Sequence, residues 1–356
     1  MERRARWLFL GINVAAVLLA VGAFLLYRSL QPVPGSDTHF EGTIAQPGVY
    51  DVWDDMGHLL KPNQRVTARL VSPYRTVYDV TYGIGPDGFR VVPPNPADPD
   101  ACVVLFGDSN TFGIGVQDNQ TYAWQLAERG KGRLAVYNFG VPGTGPHEML
   151  AGLQSGRFQK ILGCTPTDVV YFFIVEHIGR VTGRLSPWDT HGPRYRLDAN
   201  GKAVRDGNFD TRPHDPTPDL DEGLLGWRRM VYGIDRVGTR EETELTAAIM
   251  IQSAREIARF APKAKFHVLF WTMFDSKRLD ELASDLTAAG IVVHPVQQFL
   301  PGYRDHQLRY VNGQEDGHPN PMTHGKFADY ILKQIVAKRR STDASAAPPV
   351  KLSHSP

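Results

Sequence analysis

Three short stretches carry residue types from which nucleophilic acyl chemistry can be built. The first is VVLFGDSNTFGIGV over 103–116. Its apolar run stops at Gly107, a polar cluster follows, and more glycines come after. This pattern predicts a buried strand and a tight turn that presents Ser109 at the strand's carboxyl end, where open α/β sheets bind ligands. A serine hydroxyl needs a neighbouring base, and the base needs a carboxylate to fix its tautomer. Glu315-Asp316-Gly317-His318-Pro319-Asn320 offers both: His318 as the base and Asp316, two residues earlier in the same turn, as the acid. Glu315 is the reserve acid, and His324 reads as a helix-start residue instead. The third stretch, YNFGVPGTG over 137–145, leaves the Gly140 N–H open to a substrate oxygen. Each stretch has a plainer reading. Ser109 can be a helix N-cap, and 137–145 an ordinary glycine-rich turn. A phosphate loop is excluded, because no Gly-Lys-Ser/Thr follows the glycines.

The elements that must position these residues alternate strand and helix. Strands are predicted near 101–106, 134–139, 168–175, 265–271 and 291–294, and helices near 119–129, 146–161, 241–260, 277–289 and 324–338. Such alternation argues for a mostly parallel sheet covered on both faces. Pro146 suits a first helical turn, and Thr323 is the expected cap of the last helix. Residues 41–100 read as a small β-rich region with period-two segments at 66–70 and 77–82 and a Pro86-Asp87-Gly88 turn. Residues 179–238 break the rhythm as a Gly/Pro/Asp/Arg-rich insertion within a domain spanning 101–340. Its Trp188, Tyr195 and Trp227 can stack on sugar rings or serve packing.

The chain has 356 residues and a formal net charge of +1, with no basic tract in its body, so nucleic acid is not an expected partner. Arg3, Arg4 and Arg6 precede an apolar run over 7–27, long enough to span a bilayer as an uncleaved helix (segment 1–28) with the remainder extracytoplasmic. No Ala-x-Ala cleavage site follows it. A Pro/Gly/Ser linker over 29–40 comes next, and the tail over 341–356 has a disordered composition. There are two cysteines, Cys102 and Cys164, and no CxxC, so neither a metal nor a cofactor is expected. Buried free thiols are the first reading, with a disulfide as the alternative.

A bare Gly-Asp-Ser arises by chance in about one chain in ten of this length at average residue usage; FGDSNTFGIGV is far more specific. It resembles the first block of the GDSL/SGNH hydrolases, NFGVPGTG resembles their second, and DGHPN before a C-terminal helix resembles their last. The resemblance covers about residues 100–340. It implies a three-layer, flavodoxin-like α/β fold with a mostly parallel five-stranded sheet, preceded here by the transmembrane helix and the β-rich region. It implies Ser109 as nucleophile, His318 and Asp316 as base and acid, and the Ser109 and Gly140 N–H groups as oxyanion donors. The family's third block supplies an asparagine, but this chain has Glu176 there, so His177 or Arg180 is the expected substitute donor. Asn110 and Arg180 are the expected substrate contacts. The implied activity is cofactor-free hydrolysis of an acyl ester on a small molecule or an envelope polysaccharide. The alternatives are O-acyl transfer to an exported polysaccharide and a non-catalytic scaffold or carbohydrate-binding protein.

Overall fold

The computed structural model describes residues 13, 17–24, 38–186, 188–211 and 237–339. Residues 17–24 are helical and exposed; most of the rest of the apolar run, residues 29–37 of the expected linker, Trp227 and the tail lie outside the described residues, while the end of that linker, His39 and Phe40, belongs to a strand. Among the described residues, no helix is long and apolar enough to cross a membrane.

Five short strands come first: β1 (His39–Glu41), β2 (Tyr50–Trp53), β3 (Gly57–Leu60), β4 (Arg65–Val71) and β5 (Thr76–Gly83). β1, β4 and β5 form one antiparallel sheet, and β2 and β3 a hairpin. Along β4, Val66, Ala68 and Leu70 are buried while Arg65, Thr67 and Arg69 face out, the alternation of a one-sided sheet.

The α/β body follows: β6 (Ala101–Gly107), α1 (Ser109–Phe112), α2 (Tyr122–Arg129), β7 (Leu134–Gly140), α3 (Pro146–Ser155), α4 (Arg157–Ile161), β8 (Asp168–Ile174) and α5 (His177–Arg180). Then come the β9 (Pro193–Leu197) and β10 (Ala203–Asn208) hairpin, α6 (Arg240–Phe260), β11 (Lys265–Trp271), α7 (Lys277–Ala288) and β12 (Val292–Pro295). The chain continues through α8 (Val296–Phe299), the hairpin β13 (Val311–Gly313) and β14 (Asp316–Pro319), and α9 (Pro321–Tyr330). The central sheet is ordered β12-β11-β8-β6-β7, and its pairs are all parallel. Counted in chain order from β7 this is 2-1-3-4-5, the flavodoxin-like order, whose switch point lies beside the first strand.

The strands are apolar on both faces because both are covered. Val104, Phe106, Tyr171, Phe173, Val268 and Phe270 pack on one side with Met149 and Leu153 of α3, Met250 and Ile257 of α6, and Leu282 of α7. Val103, Leu105, Val170, Phe172, Leu269 and Trp271 pack on the other with Leu126 of α2, Phe299 of α8 and Phe327 of α9.

Several local expectations need correction. Asn320, not Thr323, caps α9: its side chain accepts the Thr323 N–H at 3.0 Å. The helix expected over 146–161 is two, broken at Gly156, whose φ of 74° favours glycine. Tyr195 is a packing residue: it is buried with Leu150, Val181 and Ile249, and its hydroxyl donates to Gln154 Oε1 at 2.7 Å. Cys102 and Cys164 are joined as a disulfide, correcting the free-thiol reading; it ties the start of β6 to the loop before β8. The two positions are 62 apart, and no periodicity reports on such a pairing.

Candidate active site

Ser109 stands at the first position of α1, directly after β6. Asp108 is the N-cap, accepting the Asn110 N–H at 3.0 Å, so the serine hydroxyl is not used for capping. The Ser109 Oγ lies 2.8 Å from His318 Nε2, and His318 Nδ1 lies 2.5 Å from Asp316 Oδ1. Asp316 Oδ2 accepts the Asn312 amide at 2.9 Å. With Asp316 bonded to Nδ1, that nitrogen carries the proton and Nε2 faces the hydroxyl as an acceptor. The reserve acid is turned away, since Glu315 forms a two-bond ion pair with Arg75 at 2.8 and 3.2 Å. His324 is stacked on Tyr122 and accepts its backbone N–H at 3.2 Å. Burial pushes the His324 pKa down to about 3, so it stays neutral.

The charge states follow from the neighbours. Burial alone would raise the Asp316 carboxyl, but its bond and charge interaction with His318 and the Asn312 amide hold it below the usual range. Burial alone would lower His318; the hydrogen bond to Asp316, then the charges of Asp316 and Asp108, raise it above the ordinary imidazole value.

Asp108 is fully buried. Its Oδ2 accepts from Arg180 Nη1 at 2.9 Å and faces His177 Nε2 at 3.4 Å, while Oδ1 accepts the Asn110 side-chain amide at 2.8 Å. Burial opposes its charge, but the bond and charge of His177, the charge of Arg180 and the Asn110 N–H hold its carboxyl far below the usual range.

The expected oxyanion donors are arranged differently. The Gly140 N–H donates to Asn138 Oδ1 at 3.0 Å, so it is not open to a substrate oxygen as expected. A Cβ at Gly140 would overlap Phe112 N and the Thr111 side chain; the glycine is there to seat α1 against β7. His177 is fully buried, its Nδ1 accepting from the Tyr171 hydroxyl at 3.0 Å, so it sits beneath Asp108 and does not face a substrate. Asn110 is turned onto Asp108. Arg180 is 8 % exposed and bonds Thr144 O at 2.8 Å as well as Asp108. The Ser109 N–H, at a helix N-terminus, meets no acceptor among the described residues. Glu176, where the sequence resemblance leads one to expect an asparagine, is exposed.

Sequence reasoning missed Arg90. Its guanidinium is fully buried and donates to Phe112 O, Gly113 O and Val116 O at 3.1, 2.9 and 2.8 Å and to Asp118 at 2.8 Å. It also stacks on Tyr82. This arginine fixes the loop after the serine and pins it to β5. No local pattern marks it, since all its acceptors lie more than twenty residues away. Trp188 is 55 % exposed, with Arg180 Cζ 5.8 Å from its ring and its Nε1 donating to Gly143 O at 3.4 Å.

No protein-family model matches the sequence, and no curated protein matches it. Solved structures that align with it include a lipolytic protein of the G-D-S-L family from Veillonella parvula (12 % identity, TM-score 0.39, 66 % of this chain and 98 % of that one). Another is a carbohydrate esterase family 2 enzyme with a carbohydrate-binding domain from Corynascus thermopiles (15 % identity, TM-score 0.37, 77 % of each chain). A third is an acetyl xylan esterase from Butyrivibrio proteoclasticus (12 % identity, TM-score 0.38, 71 % of this chain and 67 % of that one).

Proposed function

We propose that this chain is a serine-dependent acyl-ester hydrolase acting outside the cytoplasmic membrane, with an ester on a polysaccharide as its substrate. The observation that carries the reading is the continuous path Asp316–His318–Ser109, with bonds of 2.5 and 2.8 Å. In the proposed reaction His318 Nε2 takes the Ser109 proton as Oγ attacks the ester carbonyl. Asp316 stabilises the imidazolium so formed, which then protonates the leaving alkoxide. Water, deprotonated by the same imidazole, releases the acyl group. The Ser109 N–H is the oxyanion donor in this scheme, and the positive N-terminal end of α1 adds to it. Arg180 supplies positive charge beside Asp108 and so keeps the buried carboxylate from opposing the oxyanion.

Two features favour an oxidising, extracytoplasmic setting: the Cys102–Cys164 disulfide and the arginine-flanked apolar run over 7–27. The exposed Trp188 beside Arg180 favours a glycan, because an indole face stacks on a sugar ring.

The test is turnover of a short acyl ester and covalent labelling by an organophosphonate. Both are expected in the full-length protein and absent in Ser109→Ala. Full turnover in that variant overturns the mechanism. Product analysis with and without a glycan acceptor decides between hydrolysis and acyl transfer, and failure of both assays returns the chain to a binding role.

A further inference from the structure

A second polar cluster is buried behind the turn over 142–145. His147 is 0 % exposed, Glu148 1 % and Asp189 2 %. One ligand-type atom from each lies within 4.8 Å of those of the other two. Four of their polar atoms have no hydrogen-bond partner among the described residues: both ring nitrogens of His147, Glu148 Oε1 and Asp189 Oδ2. His147 Nδ1 is 3.1 Å from Glu148 Oε2 without the alignment of a hydrogen bond. Buried polar groups are nearly always paired, so three buried residues that each bring one ligand-type atom to within 4.8 Å of the others, and that leave polar atoms unpartnered, ask for a common partner.

The surroundings hold the cluster open. Glu148 Oε2 accepts the Gly145 N–H at 2.7 Å, while Oε1 is buried with no hydrogen-bond partner among the described residues. Asp189 Oδ1 is 3.2 Å from His58 Nδ1, and His58 Nε2 donates to Pro142 O at 2.7 Å. A Cβ at Gly57 or Gly192 would overlap the Asp189 carboxylate, so both glycines make its room.

We propose that His147, Glu148 and Asp189 bind a divalent transition-metal ion of the zinc class, with His58 orienting Asp189 from behind. One imidazole and two carboxylates suit such an ion better than calcium, which prefers oxygen ligands throughout. A dication offsets the carboxylates and takes one atom from each residue, a single ring nitrogen of His147 among them. Its role is a clamp. It joins the start of α3 to the segment before β9 and, through His58, to β3. Those elements carry the turn over 142–145, whose Thr144 carbonyl holds Arg180.

The experiment uses the full-length chain in detergent, stripped with a chelator, shown to be folded by circular dichroism, and titrated with Zn²⁺ and Co²⁺. The expected result is about one ion per chain, a saturable rise in Tm, and X-ray absorption with imidazole scattering and N/O ligands at about 2.0–2.2 Å. His58→Gln is expected to weaken binding about 10- to 100-fold, and Glu148→Gln to weaken it further. A folded apoprotein that takes up no metal overturns the proposal, as does binding that neither variant weakens. Should the Glu148 variant fail to fold, the wild-type absorption spectrum decides, and a shell without imidazole overturns the assignment. None of these readouts depends on esterase activity.

Discussion

Arg180 Nη1 donates to Asp108 Oδ2 at 2.9 Å, one residue upstream of the Ser109 hydroxyl. The pair joins the turn after β8 to the turn after β6, the two strand ends that flank the switch point of the sheet. It also keeps a fully buried carboxylate charged beside the nucleophile, so the fit of the two turns depends on an ion pair with little access to water.

Replacing Arg180 by methionine leaves the Asp108 charge without the guanidinium hydrogen-bonded to it. Removing one partner of a buried pair costs about 3–5 kcal/mol. Urea denaturation at neutral pH is expected to show a loss of that size, and the Arg180→Met, Asp108→Asn double variant is expected to recover much of it. The carboxyl is lowered in the folded state, so its contribution is present above the ordinary aspartate pKa of 3.8 and is lost as pH falls through the folded value. The difference between Arg180→Met and wild type should therefore shrink in acid. An equal difference at all pH values would contradict the ion-pair account.

His318 must be neutral to act as base, and its pKa is raised above 6.5. The acid limb of kcat/KM is therefore expected to inflect above 6.5, activity rising with pH. Asp316→Asn removes the group that raises it. That variant should move the limb to lower pH and reduce kcat by a factor on the order of 10⁴. The stability effect has the opposite sense: the proton favours the folded state, so the His318 contribution is complete below 6.5 and is lost as pH rises through the folded pKa. Measuring kcat/KM and the urea midpoint over the same pH series checks both signs.

Gly140→Ala places a methyl group against Phe112 N and Thr111, where backbone cannot yield easily. Overpacking of this kind costs about 1–3 kcal/mol. Because the displaced element carries Ser109, turnover should fall more than stability. A stable Gly140→Ala enzyme with unchanged kcat would show that α1 does not need this close approach.

The Cys102–Cys164 bond closes a 62-residue separation, for which the chain-entropy account gives about 4 kcal/mol of stabilisation. Reduction, or the paired Cys→Ser variant, is expected to lower the urea midpoint accordingly without altering the acid limb of the rate profile. A midpoint insensitive to reductant would mean that the link adds nothing to the folded state.

The elements that proved readable were those whose signals are local. Apolar runs ending in glycine marked β6 and β7. Asp316 and His318, two apart, could reach one another through a single turn. Pro146 began its helix where proline is least disruptive. Capping was legible only as a residue class: Asn320 and Thr323 are both good caps, and the choice follows from the path of the chain leaving β14. The oxyanion N–H at Gly140 was misread for a related reason. A glycine at a strand end is visible, but the direction of its N–H is set by the Asn138 side chain folded beneath α1.

By itself, then, the sequence determined the five strands of the central sheet, their alternation with helices, and which hydroxyl and imidazole are placed for chemistry, because these follow from short-range periodicity and from turn residues. Tertiary structure alone decided that Arg75 draws Glu315 away from the base, that Arg90 holds the loop after the nucleophile, that Cys102 finds Cys164, and that Asp189 meets His147 and Glu148. Each of those contacts joins residues tens to hundreds of positions apart. Their pairing depends on how the packed layers fit together, and side-chain spacing along the chain carries no trace of it.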